Sequence, residues 1–169
     1  VARKAGTMGK EENKEMEFWT QEEFQRFLEC VADKPISYYA FEMLYWTGIR
    51  EGELLALTPA DFNFEKKTLR INKSYQRLEG EDVITDPKTP KSNRTIVMPD
   101  FLAVEMENFI SGLYGIRDDD RIFTISKSYL HHEMDRSAKL AGVKRIRIHG
   151  LRHLHISLLI NLGFSALAI

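Results

Sequence analysis

Apolar positions fall into helical spacing along the first third of the chain and again along the last, with a different pattern between. Phe24, Phe27, Leu28 and Val31 recur at intervals of three and four, which lines one face of a helix. In front of them Thr20-Gln-Glu-Glu23 has the spacing of a capping box, where the Thr20 hydroxyl and the Glu23 carboxylate each satisfy a backbone N–H of the first turn. A helix is therefore predicted to run to about Ala32. Pro35 suits the first turn of a second helix, where a backbone N–H has no partner to lose. Tyr38, Met43, Leu44 and Trp46 carry that helix to a stop at Gly48. A third, short helix is predicted from Arg50 and is ended by Thr58-Pro59.

The next forty or so residues alternate differently. Short β-branched stretches such as Thr68 to Ile71 and Arg94 to Val97, separated by turn residues, predict a small antiparallel sheet. Asp86-Pro-Lys-Thr-Pro-Lys-Ser-Asn-Arg94 holds two prolines, which cannot serve a central ladder, so this stretch is expected to be a hairpin loop between the last strands. After Pro99 the helical period returns in Phe101 to Leu113, in Ser126 to Ala141 before Gly142, and from about Gly150 to Leu162 before Gly163. The expected class is α+β, mainly α: a helical bundle carrying a small antiparallel β-sheet.

Length and composition add bounds. With 169 residues, 43% of them hydrophobic, the chain can fill one core of ordinary size. Residues 1–17, polar and rich in Lys and Glu, read as a linker or arm, and residues 18–169 as the domain. Cys30 is the only cysteine, so neither an internal disulfide nor a Cys-x-x-Cys pair nor a four-cysteine zinc site can form, which suits a reducing compartment. No signal-like leader and no run of eighteen uncharged apolar residues appear, and a cytoplasmic protein without a membrane partner is expected.

The net charge of -1 hides a segregation. Residues 66–97 hold eight Lys or Arg against four Asp or Glu, and residues 136–155 hold six against none, with three histidines besides. Residues 99–135, between them, hold three basic against eight acidic. One basic block is ordinarily a solvated face; two of them flanking an acidic segment fit a folded basic groove, and so a nucleic-acid partner.

Three constellations carry possible chemistry. In "TGIREGELLAL", Arg50 opens a helix, where its planar fork joins unpaired N–H groups suited to a phosphate oxygen, and Glu53 one turn later can hold that fork. In "IHGLRHLHISLLINLG", His149 and Arg152 lie three apart on one face, so a second bidentate phosphate ligand stands beside a group that moves a proton near neutral pH. The proline-bounded loop offers Lys88 or Lys91 to a polyanion. Each alone is also what an ordinary surface feature gives, and for an isolated His-x-x-Arg the surface reading is the commoner one.

In this order and spacing, "TGIREGELLAL", "PKTPKSNRTIVMP" and "IHGLRHLHISLLINLG" resemble the catalytic domain of the tyrosine recombinases, the phage integrase family, and are similar to the integrases of conjugative transposons. The resemblance implies that Arg50 and Arg152 clamp a scissile phosphate, that Glu53 supports the first arginine, that His149 assists proton transfer, and that Lys88 protonates the leaving 5' oxygen. It implies site-specific recombination of a mobile element through a 3'-phosphotyrosine, with double-stranded DNA as partner, a full-length enzyme acting as a homotetramer on DNA, no small-molecule substrate, and neither metal nor cofactor. Lys91, Arg94, Lys144, Arg145 and Arg147 are the expected DNA-binding side chains. Gly150 and Leu154 stand where the family usually has Asp and Thr. The family's downstream histidine and nucleophilic tyrosine would follow the helix ending at Gly163. The chain is accordingly expected to be a truncated catalytic domain that is inactive and monomeric by itself. Two rivals remain: a non-catalytic DNA-binding module, and, more remotely, a metalloenzyme built on His149 and His153, four apart on a helix.

Overall fold

The structure, a computed structural model, describes residues 18–87 and 89–165. The expected arm at residues 1–17, Lys88, and residues 166–169 lie outside the described residues.

Helix α1 spans Gln21–Val31 and starts as its capping box demands: the Thr20 N–H donates to Glu23 Oε2 at 2.8 Å, and the Glu23 N–H to Thr20 Oγ1 at 3.2 Å. Its apolar stripe, Phe24, Phe27, Leu28 and Val31, is buried. Helix α2, Pro35–Thr47, carries buried side chains on several faces because it runs through the middle of the core. It ends at Gly48, whose φ of 64° is a left-handed conformation natural to glycine, and whose N–H returns to the Leu44 carbonyl. The chain then turns into α3, Glu51–Ala56.

A 3-10 turn at Pro59–Asp61 leads into strands β1 (Phe62–Asn63), β2 (Thr68–Ile71), β3 (Ser74–Leu78), β4 (Glu81–Thr85) and β5 (Arg94–Val97). These form two antiparallel sheets rather than the single one expected. One has the order β1-β2-β5, with Leu69 opposite Ile96 and Ile71 opposite Arg94. The other is the β3-β4 hairpin, turned at Glu79 and Gly80, both with positive φ. The proline-bounded stretch 86–93 is therefore not a hairpin loop. It connects β4 of one sheet to β5 of the other, since Pro87 and Pro90 cannot continue the β4 ladder.

Helices α4 (Asp100–Ser111), α5 (Lys127–Ala141) and α6 (Ile148–Asn161) complete the fold. Helix α6 starts two residues before the expected Gly150, because Ile148 and Leu151 are both anchored in the core and bring His149 into the first turn. Helix α1 packs on α5, α2 on α6 and α4, and α3 on β3. Stacked Phe24 and Tyr45, with ring centroids 3.8 Å apart, join α1 to α2, and the Trp19 Nε1–H donates to the Lys144 carbonyl at 2.6 Å, tying the start of the domain to the loop before α6. Burial of rings such as Phe24, Phe27, Phe41 and Phe123 contributes roughly 1.5–3 kcal/mol each. That core fixes α2, α3 and α6 relative to one another, which is what a site shared between their ends requires. Among the described residues no helix is long and apolar enough to cross a membrane.

Candidate phosphate-binding site

The turn between α2 and α3 meets the first turns of α6. Arg50 caps α3 with extended backbone and leaves its side chain half exposed. Glu53, one turn on, is buried at 6% exposure and is the centre of the cluster. Its Oε2 accepts the Arg50 backbone N–H at 2.8 Å and its Oε1 accepts Arg50 Nη1 at 3.2 Å. Arg94, from the start of β5, adds a fork–fork pair, Nη1 to Oε1 at 3.0 Å and Nη2 to Oε2 at 2.9 Å. Burial pushes the Glu53 carboxyl upward, but the bonds from Arg94 and the Arg50 N–H, with both guanidinium charges, more than reverse it and leave it below the usual carboxylate value.

Arg152 reaches this cluster from α6. Its Nη1 donates to the carbonyl of Gly48, two residues before Arg50 and 104 residues away in sequence. Burial, then the neighbouring charges of Arg50 and Arg94, lower its pKa, with Glu53 opposing. His149, one turn earlier on α6, has an exposed ring set edge-on to His153 with centroids 4.8 Å apart. Burial of part of the ring, then the nearby His153, Arg152 and Arg50, hold its pKa below the ordinary histidine value, so neutral imidazole prevails at neutral pH. Three guanidiniums and one carboxylate thus meet a neutral imidazole, leaving two positive charges in excess where a doubly bonded anion could be held.

Two members of this site escaped the sequence reading. Gly48 does more than stop α2: its carbonyl takes Arg152, and a Cβ on it would lie 2.4 Å from Cδ2 of His155. The half-buried His155 ring, next turn of α6 after Arg152, packs on that glycine, and its Nδ1 has no hydrogen-bond partner among the described residues. The spacing Arg152-x-x-His155 places both on one face of α6 and could have pointed to it.

The expected DNA-binding residues divide. Lys91, on a 3-10 turn at Pro90–Ser92, and Lys144 and Arg147, before α6, are exposed. Arg145 is paired with Asp135, and Arg94 is committed to Glu53. Lys88 lies outside the described residues. The basic blocks are partly used inside the fold: Lys73 and Arg70 face the buried Asp61, and Arg136 bridges Glu133 and Asp33. Among the described residues no group of three or more His, Cys, Asp or Glu is arranged to hold a metal ion, so His149 and His153 have no third ligand beside them.

Comparison with known proteins gives this fold a family. The profile of the phage integrase family matches residues 17–169, and the chain belongs to that family. It is 30% identical over 164 residues to the ICEBs1 integrase of Bacillus subtilis, covering 89% of this chain and 45% of the relative. It is 26% identical over 189 residues to the tyrosine recombinase XerC-like protein of Caldanaerobacter subterraneus, covering 94% of this chain and 47% of the relative. The chain thus spans just under half the length of these curated relatives. Among solved structures, that of the Tn1549 transposon integrase in complex with a circular intermediate DNA superimposes with a TM-score of 0.79 at 22% identity, over 93% of this chain and 57% of that one.

Proposed function

We propose that this chain forms the phosphate-clamping part of a site-specific recombinase that integrates or excises a mobile element. Its substrate is double-stranded DNA, its working form is a homotetramer on DNA, and its compartment is the cytoplasm. The observation that carries the proposal is the convergence of Arg152 on the turn that bears Arg50, across 104 residues of sequence. Family membership and the likeness to integrases support it.

In this reading Arg50 and Arg152 hold the nonbridging oxygens of the scissile phosphate, and Glu53 supports Arg50. A tyrosine hydroxyl brought to the site attacks phosphorus and yields its proton to neutral His149. The bond from phosphorus to the 5' oxygen breaks, and that oxygen takes a proton from Lys88. The 3'-phosphotyrosine keeps the bond energy, so a second 5' hydroxyl can reverse the steps and reseal the strand with no nucleotide consumed. Negative charge growing on the nonbridging oxygens is stabilised by guanidiniums already in place. Lys91, Lys144 and Arg147 attract the duplex backbone.

The test is covalent linkage of the full-length protein to a nicked duplex carrying the end of its own element, read on a denaturing gel. Arg50→Ala and Arg152→Ala are each expected to slow linkage by at least ~100-fold while duplex affinity falls far less. Linkage that survives both substitutions would refute the clamp. Tight duplex binding by the wild-type protein with no linkage would favour a non-catalytic DNA-binding module.

A further inference from the structure

Arg94 was expected to face DNA, yet its donors are turned inward. Nη1 and Nη2 engage the two oxygens of Glu53, and Nη1 also donates to the Ser92 carbonyl at 3.2 Å. With the Arg50 backbone N–H and Arg50 Nη1, Glu53 accepts four bonds, two on each oxygen, which uses its full acceptor capacity. A carboxylate 6% exposed cannot remain charged without such partners. Arg50 cannot supply them alone, because it makes one side-chain bond and more than half of its side chain faces solvent.

We infer that Arg94 is a positioning residue for the phosphate clamp. It keeps Glu53 ionised and fixed in rotation, so that Oε1 holds Arg50 Nη1 on one side and leaves the other donors of Arg50 for the phosphate. It acts through Glu53 and touches no reacting atom. Because Arg94 also fastens Ser92, the same guanidinium ties the connection between the two sheets to the turn that bears Arg50. The inference rests on the recombinase reading for its catalytic consequence, but the hold of Arg94 on Glu53 can be measured without any reaction.

Two measurements are paired. In the first, the full-length protein at saturating concentration is assayed for covalent linkage to the nicked duplex of its element. Arg94→Met is expected to slow linkage by about 100-fold, the effect of displacing a catalytic group by about an ångström. Arg94→Lys should restore part of the rate, and Arg94→Met combined with Glu53→Gln should be no slower than the worse single variant, since both act through one bond network. The salt dependence of binding to a mixed-sequence duplex should not change. In the second, the Glu53 carboxyl of the chain is titrated by 13C NMR. Its midpoint, below the usual carboxylate value in the wild type, should rise in Arg94→Met. A salt slope reduced by about one in Arg94→Met, with linkage lost only in proportion to bound DNA, would make Arg94 a phosphate contact and overturn the inference. An unmoved Glu53 midpoint would overturn it as well. If the wild-type protein gives no linkage, the recombinase reading fails, and the titration still decides whether Arg94 governs Glu53.

Discussion

Gly48→Ala tests how tightly the site is built into the fold, and its cost can be worked out by comparison with a second glycine. Gly48 and Gly142 both close helices in the left-handed region, with φ of 64° and 66°. An alanine at either position takes on the strain of that conformation, roughly 1–2 kcal/mol. Around Gly142 a new Cβ would meet nothing within 4 Å among the described residues, so Gly142→Ala should cost only that amount. At Gly48 the Cβ would sit 2.4 Å from Cδ2 of His155 and 3.0 Å from Cγ, so the ring or the helix must shift by about an ångström. Overpacking of that kind adds roughly 1–3 kcal/mol. Equilibrium urea unfolding followed by far-UV circular dichroism should therefore show Gly48→Ala less stable than Gly142→Ala by that second amount. In a His155→Ala background, where the ring is gone, the excess should vanish. Equal losses at the two glycines, or an excess that persists without the imidazole, would refute the assignment of His155 as the wall against which the turn before Arg50 is set.

Two further outcomes concern pH. Burial pushes the carboxyl of Glu42 up to about 7 from an ordinary 4.5, and a group whose folded pKa is raised contributes stability below its unfolded pKa that is lost as pH rises through the folded one. Glu42→Gln should therefore gain stability over the wild type by about 2 kcal/mol more near pH 8 than near pH 5.5 in urea titrations, and a difference independent of pH would count against the burial argument. The pKa of His149 is lowered, so it gains its charge at a lower pH than an ordinary histidine; duplex affinity should rise as pH falls below the ordinary histidine value, and His149→Gln should lose part of the rise in fluorescence anisotropy titrations. Parallel pH curves for the two proteins would place the imidazole away from the phosphate.

The helices are legible from local signals, because each is set by residues within a turn or two of its end. The capping box at Thr20, the proline at the start of α2, and the left-handed glycines after α2 and α5 all act over such distances. Helix α6 starts two residues before the Gly150 at which the helical period is read from the sequence. In the fold even a Cβ at Gly150 would meet Ile146 only at ordinary contact distance, 3.6 Å, and the core anchors Ile148 and Leu151 set the start of the helix. The sheets were harder, since the partner of β2 is β5, more than twenty residues further on, and the β-branched pattern of a short strand does not say which strand it joins. Two of the three motifs hold Arg50, Glu53, His149 and Arg152, but charge blocks do not reveal which cations are used internally. Arg94 and Glu53 are 41 residues apart, and only the folded chain brings the fork to the carboxylate.

A buried carboxylate in a site suited to an anion subtracts charge from it. The alternative is three guanidiniums with no counterion, two of them partly removed from water. The lowered pKa of Arg152, caused by burial and then by Arg50 and Arg94 and opposed by Glu53, records how unfavourable that crowding is. Removing one partner of a buried ion pair typically costs about 3–5 kcal/mol, because the other charge is left uncompensated. Glu53 therefore trades some general attraction for a polyanion against fixed geometry: it accepts from two arginines, neutralises one charge, and leaves an excess of two directed by specific N–H groups. A surface for holding duplex DNA alone would do better without the carboxylate, since attraction to phosphates increases with cationic charge and needs little orientation. Charge that develops on two oxygens of a single phosphate during bond breaking rewards orientation instead. The presence of Glu53 between Arg50 and Arg94 is thus itself an argument for a site that acts on one phosphate over a site that only binds many.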